Sequence, residues 1–164
     1  MLRLPFNIVI GRDSGQAILF GNLMFSTLLK VNHKRGGKII DSRDLGSGLV
    51  TTAGVNALAQ NTHNLYDFTY HDSGTGTTVP IISDTTLTIP SGLARVASTQ
   101  TSANNIYTST ATITYTSPFT IVEWGLFSAS SAGVMLDHRT FTAFTILTND
   151  ELEFVYSFTI FAGS

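Results

Sequence analysis

The sequence predicts an all-β fold: a jelly-roll-like β-sandwich with one short helix and an N-terminal arm. Three observations predict it. First, apolar and polar residues alternate with a period of two in the last third of the chain. Ala111, Ile113 and Tyr115 interleave with Thr110, Thr112, Thr114 and Thr116, and Leu152, Phe154, Tyr156, Phe158 and Ile160 interleave with Glu153, Val155, Ser157 and Thr159. A strand sends successive side chains to opposite faces, so each run has one buried and one solvated face. Second, turn signals separate the runs: Ser117-Pro118, the small residues 128–133, and Asn149-Asp150-Glu151. Third, only one segment shows helical spacing, and there is no heptad, solenoid repeat or βαβ alternation.

Composition sets the bounds. The 164 residues fit a single sandwich domain over residues 23–164, preceded by an arm or edge strands over residues 1–22. There are no cysteines, which excludes disulfides, thiolate zinc sites and a Cys nucleophile. Charged residues make up 12% of the chain, about half the usual share. Thr, Ser, Asn and Gly must then carry much of the solvated surface. A β-rich chain with so little charge invites edge-to-edge pairing, so partners are expected to cover part of it. The net charge of −2 argues against nucleic-acid binding. Residues 1–10 lack the long apolar core and cleavage site of a signal peptide. The most apolar stretch, 17–29, is too short to span a bilayer. Synthesis in a cytoplasm and no membrane association are expected.

The elements follow in order. Pro5, Gly11, Asp13-Ser14-Gly15 and Gly21-Asn22 punctuate the first 22 residues. These residues read either as a strand pair on the domain edge or as an arm that pairs with a neighbouring subunit. In the second reading Leu4, Phe6, Ile8 and Ile10 add a strand to the neighbour's sheet. Residues 23–32 read as a strand, and Lys34-Arg35-Gly36-Gly37-Lys38 as a hairpin turn, with Gly supplying positive φ. Ile39-Ile40 begin the return. Five of the nine basic residues lie between Lys30 and Arg43. They form a solvated tip, or Lys34, Arg35 and Lys38 contact an acidic partner surface. Thr51 or Thr52 can N-cap a helix running to about Gln60, with Val50, Gly54, Ala57 and Leu58 on one face. It is expected to close one end of the sandwich. Residues 67–70 read as a short strand, 71–78 as a polar loop, and 79–89 as irregular chain around Pro80 and Pro90. Residues 93–99, 106–116, 119–127, 134–136 and 139–146 read as further strands before the last one.

Little of this carries catalytic chemistry. His71, Asp72 and Ser73 are consecutive, and neighbours in sequence cannot form a nucleophile–base–orienter line. Gly74-Thr75-Gly76 lacks the Lys and the following helix of a phosphate loop. His33, His63, His71 and His138 have no ligand spacing and read as surface or turn histidines. Asp72, Asp84, Asp137 and Asp150 read as turn residues. A single Ca²⁺ site is conceivable among them, but no loop matches an EF-hand. No catalytic residue, metal site or cofactor is expected. Glu123 is the odd residue, an acid in an otherwise apolar strand beside Trp124, the only tryptophan. A buried carboxylate needs partners. Arg95, Arg139 or backbone N–H groups are the candidates.

A set of motifs occurs in one order: Tyr70-His71-Asp72-Ser73-Gly74-Thr75-Gly76-Thr77-Thr78, Asp84-Thr85-Thr86-Leu87, Ala94-Arg95-Val96, Glu123-Trp124-Gly125-Leu126-Phe127, Leu136-Asp137-His138-Arg139 and Asn149-Asp150-Glu151-Leu152. That order resembles a family of small structural proteins of tailed bacteriophages, over roughly residues 49–164. Asn149-Asp150 stands where Gly-Asp is expected, the His in Leu136-Asp137-His138-Arg139 is an addition, and the first 22 residues have no counterpart. The resemblance implies a non-enzymatic virion component. With the low-charge surface, it points to a capsid decoration (cement) protein, a dimer or trimer bound to the capsid lattice through many weak contacts. A tail, collar or fibre-base protein is the alternative. A carbohydrate-binding module using Trp124, Tyr66 and Tyr70 as stacking platforms is the reading from a different class.

Overall fold

The computed structural model describes residues 23–162. The residues of the expected arm, Leu4, Phe6, Ile8 and Ile10 among them, lie outside that range. In chain order the strands are β1 (Leu23–Arg35), β2 (Lys38–Gly46), β3 (Leu49–Val50), β4 (Tyr70–Gly74), β5 (Val96–Ala97), β6 (Thr99–Ala103), β7 (Ile106–Thr114), β8 (Phe119–Phe127), β9 (Met135–Ile146) and β10 (Glu151–Ala162). Helix α1 (Thr52–Ala59) and a 3-10 turn at Leu65–Asp67 lie between β3 and β4. The strands form two five-stranded sheets. Sheet A has the order β2–β1–β10–β7–β6 and sheet B the order β3–β9–β8–β4–β5, with every named pair antiparallel. The protein is an all-β sandwich. The chain crosses between sheets after β2, β5, β7 and β9.

The period-two runs behave as the pattern requires. Tyr107, Ala111 and Ile113 of β7 and Leu152, Phe154, Tyr156 and Phe158 of β10 point into the core. The threonines of β7 and Glu153, Val155, Ser157 and Thr159 line the opposite, accessible face of sheet A. Trp124 sits at the centre. Its ring stacks on Phe154 at 6.3 Å and packs against Tyr156 at 5.5 Å, so the largest side chain of sheet B is clamped by the middle strand of sheet A. Aromatic pairs at this spacing add to the stabilisation from area burial alone. The hairpin turn forms at Gly36 and Gly37, both at positive φ.

Helix α1 matches the expected segment. Thr51 Oγ1 accepts the Gly54 N–H at 3.0 Å and donates to the Met135 carbonyl at 2.5 Å, which caps the helix and ties it to β9. Gly54 and Ala57 are its buried face. A Cβ on Gly54 would lie 2.8 Å from the Leu136 Cα, so only glycine lets the helix approach this closely.

Four segments differ from the sequence reading. Residues 71–78 are not all loop, because Tyr70–Gly74 is β4, paired with β8 and β5. Of the expected strand at 67–70 only Tyr70 is in a strand; Asp67 ends the 3-10 turn, which is closed by a capping box between Asn64 and Asp67, and Phe68 and Thr69 are irregular. The expected strand at 93–99 is split at Ser98, with β5 in sheet B and β6 in sheet A. The two short strands expected between 134 and 146 are one, β9, running through the buried Asp137 and His138.

Candidate functional site

The polar motifs of the sequence converge on the outer face of sheet B, beneath residues 75–95, which cross it as a strap. The convergence starts with a fault in β8. Its pairing with β9 shifts register between Ile121 and Glu123, and a bulge of this kind resets the in–out alternation. Trp124 and Leu126 therefore join the main core with Ile121, while Glu123, Gly125 and Phe127 face the strap. Leu87 of the strap packs with Phe127 and Met135 as a small second core. It can do so because residue 125 is glycine: a Cβ there would lie 2.9 Å from both Leu87 and the Phe127 ring.

Glu123 is fully buried. Its Oε1 accepts the Thr88 N–H at 2.6 Å and its Oε2 the Ile89 N–H at 3.2 Å. Oε1 also lies 2.8 Å from His138 Nε2. On the far side of that ring, His138 Nδ1 lies 2.8 Å from Asp84 Oδ2, and the same oxygen accepts the Ile81 N–H at 2.8 Å. Burial favours the protonated carboxyl of Glu123, but the hydrogen bonds from His138, Thr88 and Ile89 outweigh it and hold the group below the usual glutamate range. For His138, burial disfavours the imidazolium, but Glu123 and Asp84 outweigh it and raise the ring above the usual histidine range. Gly74 and Gly76 explain the Gly-Thr-Gly motif. A Cβ on either would lie 2.5–2.6 Å from Glu123 Oε2, so the two glycines make room for the carboxylate.

The trailing end of the strap is fixed by Arg95. Its Nε donates to Asp72 Oδ2 at 3.2 Å, its Nη1 donates to the carbonyls of Ala129 and Ala132, and its guanidinium lies 3.4 Å over the Phe127 ring. Arg95 is thus not the partner of Glu123. Nor is Arg139, which donates to the Leu45 carbonyl of β2. Of the three candidates, backbone N–H groups hold Glu123, together with a histidine the sequence reading assigned to the surface. That assignment is corrected for three of the four. His33, His71 and His138 are buried, and only His63 is partly exposed. Of the aspartates read as turn residues, Asp72 and Asp137 lie inside β4 and β9 and are buried, while Asp150 does sit at the turn between β9 and β10 but is buried there. Asp137 lies between the sheets, where burial pushes its carboxyl up to about 7.

The chemistry of these groups is inward-looking. His71 and Ser73 point into the core and Asp72 to the strap, so the three consecutive residues share no line. Trp124 Nε1 donates to His71 Nδ1 at 3.1 Å, which places the ring proton on Nε2, 2.8 Å from Ser109 Oγ. The ring hydrogen thus points at the hydroxyl, the reverse of what activates a serine. Burial holds His71 neutral, down to about 3. Both nitrogens of His138 face carboxylates, and while the ring is doubly protonated it has no lone pair to act as a general base. Among the described residues, no group of three His, Asp or Glu side chains is arranged to hold a metal ion. No protein-family model, curated protein or solved structure matches this chain. The geometry therefore stands alone.

The remaining predicted site residues are elsewhere. Lys34 pairs with Glu153, and Arg35 donates twice to Asp150, at 2.7 Å each. Arg43 pairs with Asp41 and lies 3.8 Å over the Phe144 ring. Lys30 and Lys38 are exposed. Most of the basic stretch thus fastens β1 and β2 to β9, β10 and the turn between them. Trp124 is fully buried and Tyr70 is half-buried, so of the three supposed sugar platforms only Tyr66 is exposed.

Proposed function

We propose that the protein is a non-enzymatic structural component of a tailed-bacteriophage virion, acting as a capsid decoration (cement) protein. The observation that carries this reading is the division of labour among side chains. Titratable groups with chemical potential are consumed in holding the strap and the strands, while the strap turns apolar groups outward. Val79 is 75% and Ile81 57% exposed, with Ile82 and Ile89 beside them. Exposed apolar clusters on a rigid support suit a protein that works by surface contact. A two-sheet body with an accessible threonine-lined face can lie flat on a lattice, and many such contacts add by multivalency.

A homo-oligomer is part of the proposal, with residues 4–10 donating a strand to a neighbouring subunit. Light scattering on the intact chain and on one lacking residues 1–22 tests that part, since unequal association is expected. The main test is quantitative mass spectrometry of gradient-purified particles, with heads and tails separated. Enrichment in heads at a stoichiometry matching capsomer junctions supports the decoration role. Enrichment in tails transfers the protein to the tail, collar or fibre base. Recovery only in the soluble lysate overturns the virion reading.

A further inference from the structure

Asp84 and Glu123 flank the His138 ring, each with a carboxylate oxygen 2.8 Å from a ring nitrogen. A hydrogen bond at that separation needs a proton between the two heavy atoms. An ionised carboxylate supplies none, and a neutral imidazole supplies one. Both contacts are satisfied together only when the trio holds two protons, and with Glu123 held below and His138 raised above their usual ranges these sit on the ring, an imidazolium between two carboxylates. Take one proton away, and a nitrogen lone pair faces a carboxylate oxygen.

The two carboxylates are not equally free to leave. Glu123 has 0% side-chain exposure, is held by two backbone N–H groups and is walled in by Gly74 and Gly76; Asp84 has 23% exposure. Asp84 belongs to a part of the strap with few other anchors: two bonds between Asp84 and Ile81 are internal to it, and the Ile82 carbonyl accepts the Thr52 N–H. The other charged groups near the ring are Asp137 and Arg139 on its own strand and, beyond Glu123, Asp72 of β4 in its pair with Arg95.

We propose that His138 is a proton-operated latch on the strap. Doubly protonated, it holds Asp84 against sheet B. On losing a proton it keeps Glu123 and releases Asp84, so the segment around residues 79–86 loosens as pH rises, carrying Val79, Ile81 and Ile82 with it. The raised affinity of the ring for its proton puts the release above the usual histidine range. The exposed apolar surface is therefore ordered in mildly acidic solution and mobile in alkaline solution.

Hydrogen exchange of the full chain between about pH 5 and pH 9, corrected for the intrinsic rate, tests the latch. Protection of amides in 79–86 is expected to fall about tenfold across the transition while β8 and β9 stay protected, as in local opening. In Asp84→Asn the amide can donate to the neutral Nδ1, so the strap is expected to stay closed across the range. Strap protection in the wild type that does not change with pH, or an unaltered pH dependence in the Asn variant, overturns the proposal. If that variant does not fold, NMR titration of the wild-type His138 ring decides. A ring that titrates together with the strap amides supports the latch, and one that stays neutral throughout refutes it.

Discussion

Replacing Asp150 with alanine removes the hub of the turn between β9 and β10. Its carboxylate, 1% exposed, accepts two bonds from Arg35, lies 2.8 Å from His33 Nε2, and accepts the Leu147 N–H at 2.9 Å. The three partners lose unequal amounts. Arg35 is half-exposed and can turn to water, so it loses the least of the three. The Leu147 amide belongs to an exposed residue and rehydrates, losing about 0.5–1 kcal/mol. His33 is buried, and a stranded ring N–H costs about 1–2 kcal/mol. Asp150→Ala is therefore expected to lower the unfolding free energy by about 1.5–3 kcal/mol in urea denaturation at pH 7, and Arg35→Ala by much less. Arg35 leads the interactions that hold the Asp150 carboxyl well below the usual aspartate range. A depressed folded-state value stabilises at pH above the unfolded value and fades as pH falls through the folded one. The difference between wild type and Asp150→Ala should accordingly shrink in acid. An Arg35→Ala loss as large as that of Asp150→Ala would refute the assignment of the hub to the buried side.

Three further outcomes are expected. Glu123→Ala should destabilise by about 1–3 kcal/mol at pH 6, because it strands the His138 ring and the two strap amides; an unchanged denaturation midpoint would show that the buried carboxylate holds nothing. His71 stays neutral down to about pH 3 in the folded chain, whereas the unfolded chain protonates it near its ordinary value. Stability should then fall with pH from about 6.5 to about 3, by as much as about 5 kcal/mol, and His71→Gln should flatten that part of the stability–pH curve. Gly54→Ala favours the helix by about 1 kcal/mol through propensity, but its Cβ meets the Leu136 backbone. A net loss of about 1–3 kcal/mol in thermal or chemical unfolding is expected from the overpacking.

The fold was most legible where hydrophobicity alternates, in β7 and β10, because burial on one face writes itself directly into the residue order. It was least legible where the buried residues are polar. β4 carries His71, Asp72 and Ser73, whose partners Trp124, Ser109, Arg95 and Tyr115 come from remote positions, so nothing in its own five residues marks it as a strand. For the same reason β9, one continuous strand, reads in the sequence as two that part at Asp137-His138. Glu123 was recognisable as a residue needing partners, but most of what it found is backbone, which leaves no trace in composition. The bulge that turns it toward the strap is equally silent. The expected Arg95 and Arg139 partners failed because opposite charge says nothing about which face a strand presents.

The position of β10 has a consequence for how the chain reaches this state. β10 lies between β1 and β7, and its pairing with β1 runs from Leu23↔Ala162 to Lys34↔Glu151. Until it arrives, sheet A is two separate hairpins, β1–β2 and β6–β7, with no strand joining them. Closing that gap brings together residues more than a hundred positions apart, and contacts of such long range put folding on the millisecond-to-second scale. During synthesis the earlier strands must wait, with the open edges of β1 and β7 exposed, for a last strand to slide between them. A chain that stalls before residue 151 therefore presents the unpaired edges of β1 and β7, and such edges invite self-association of the intermediate.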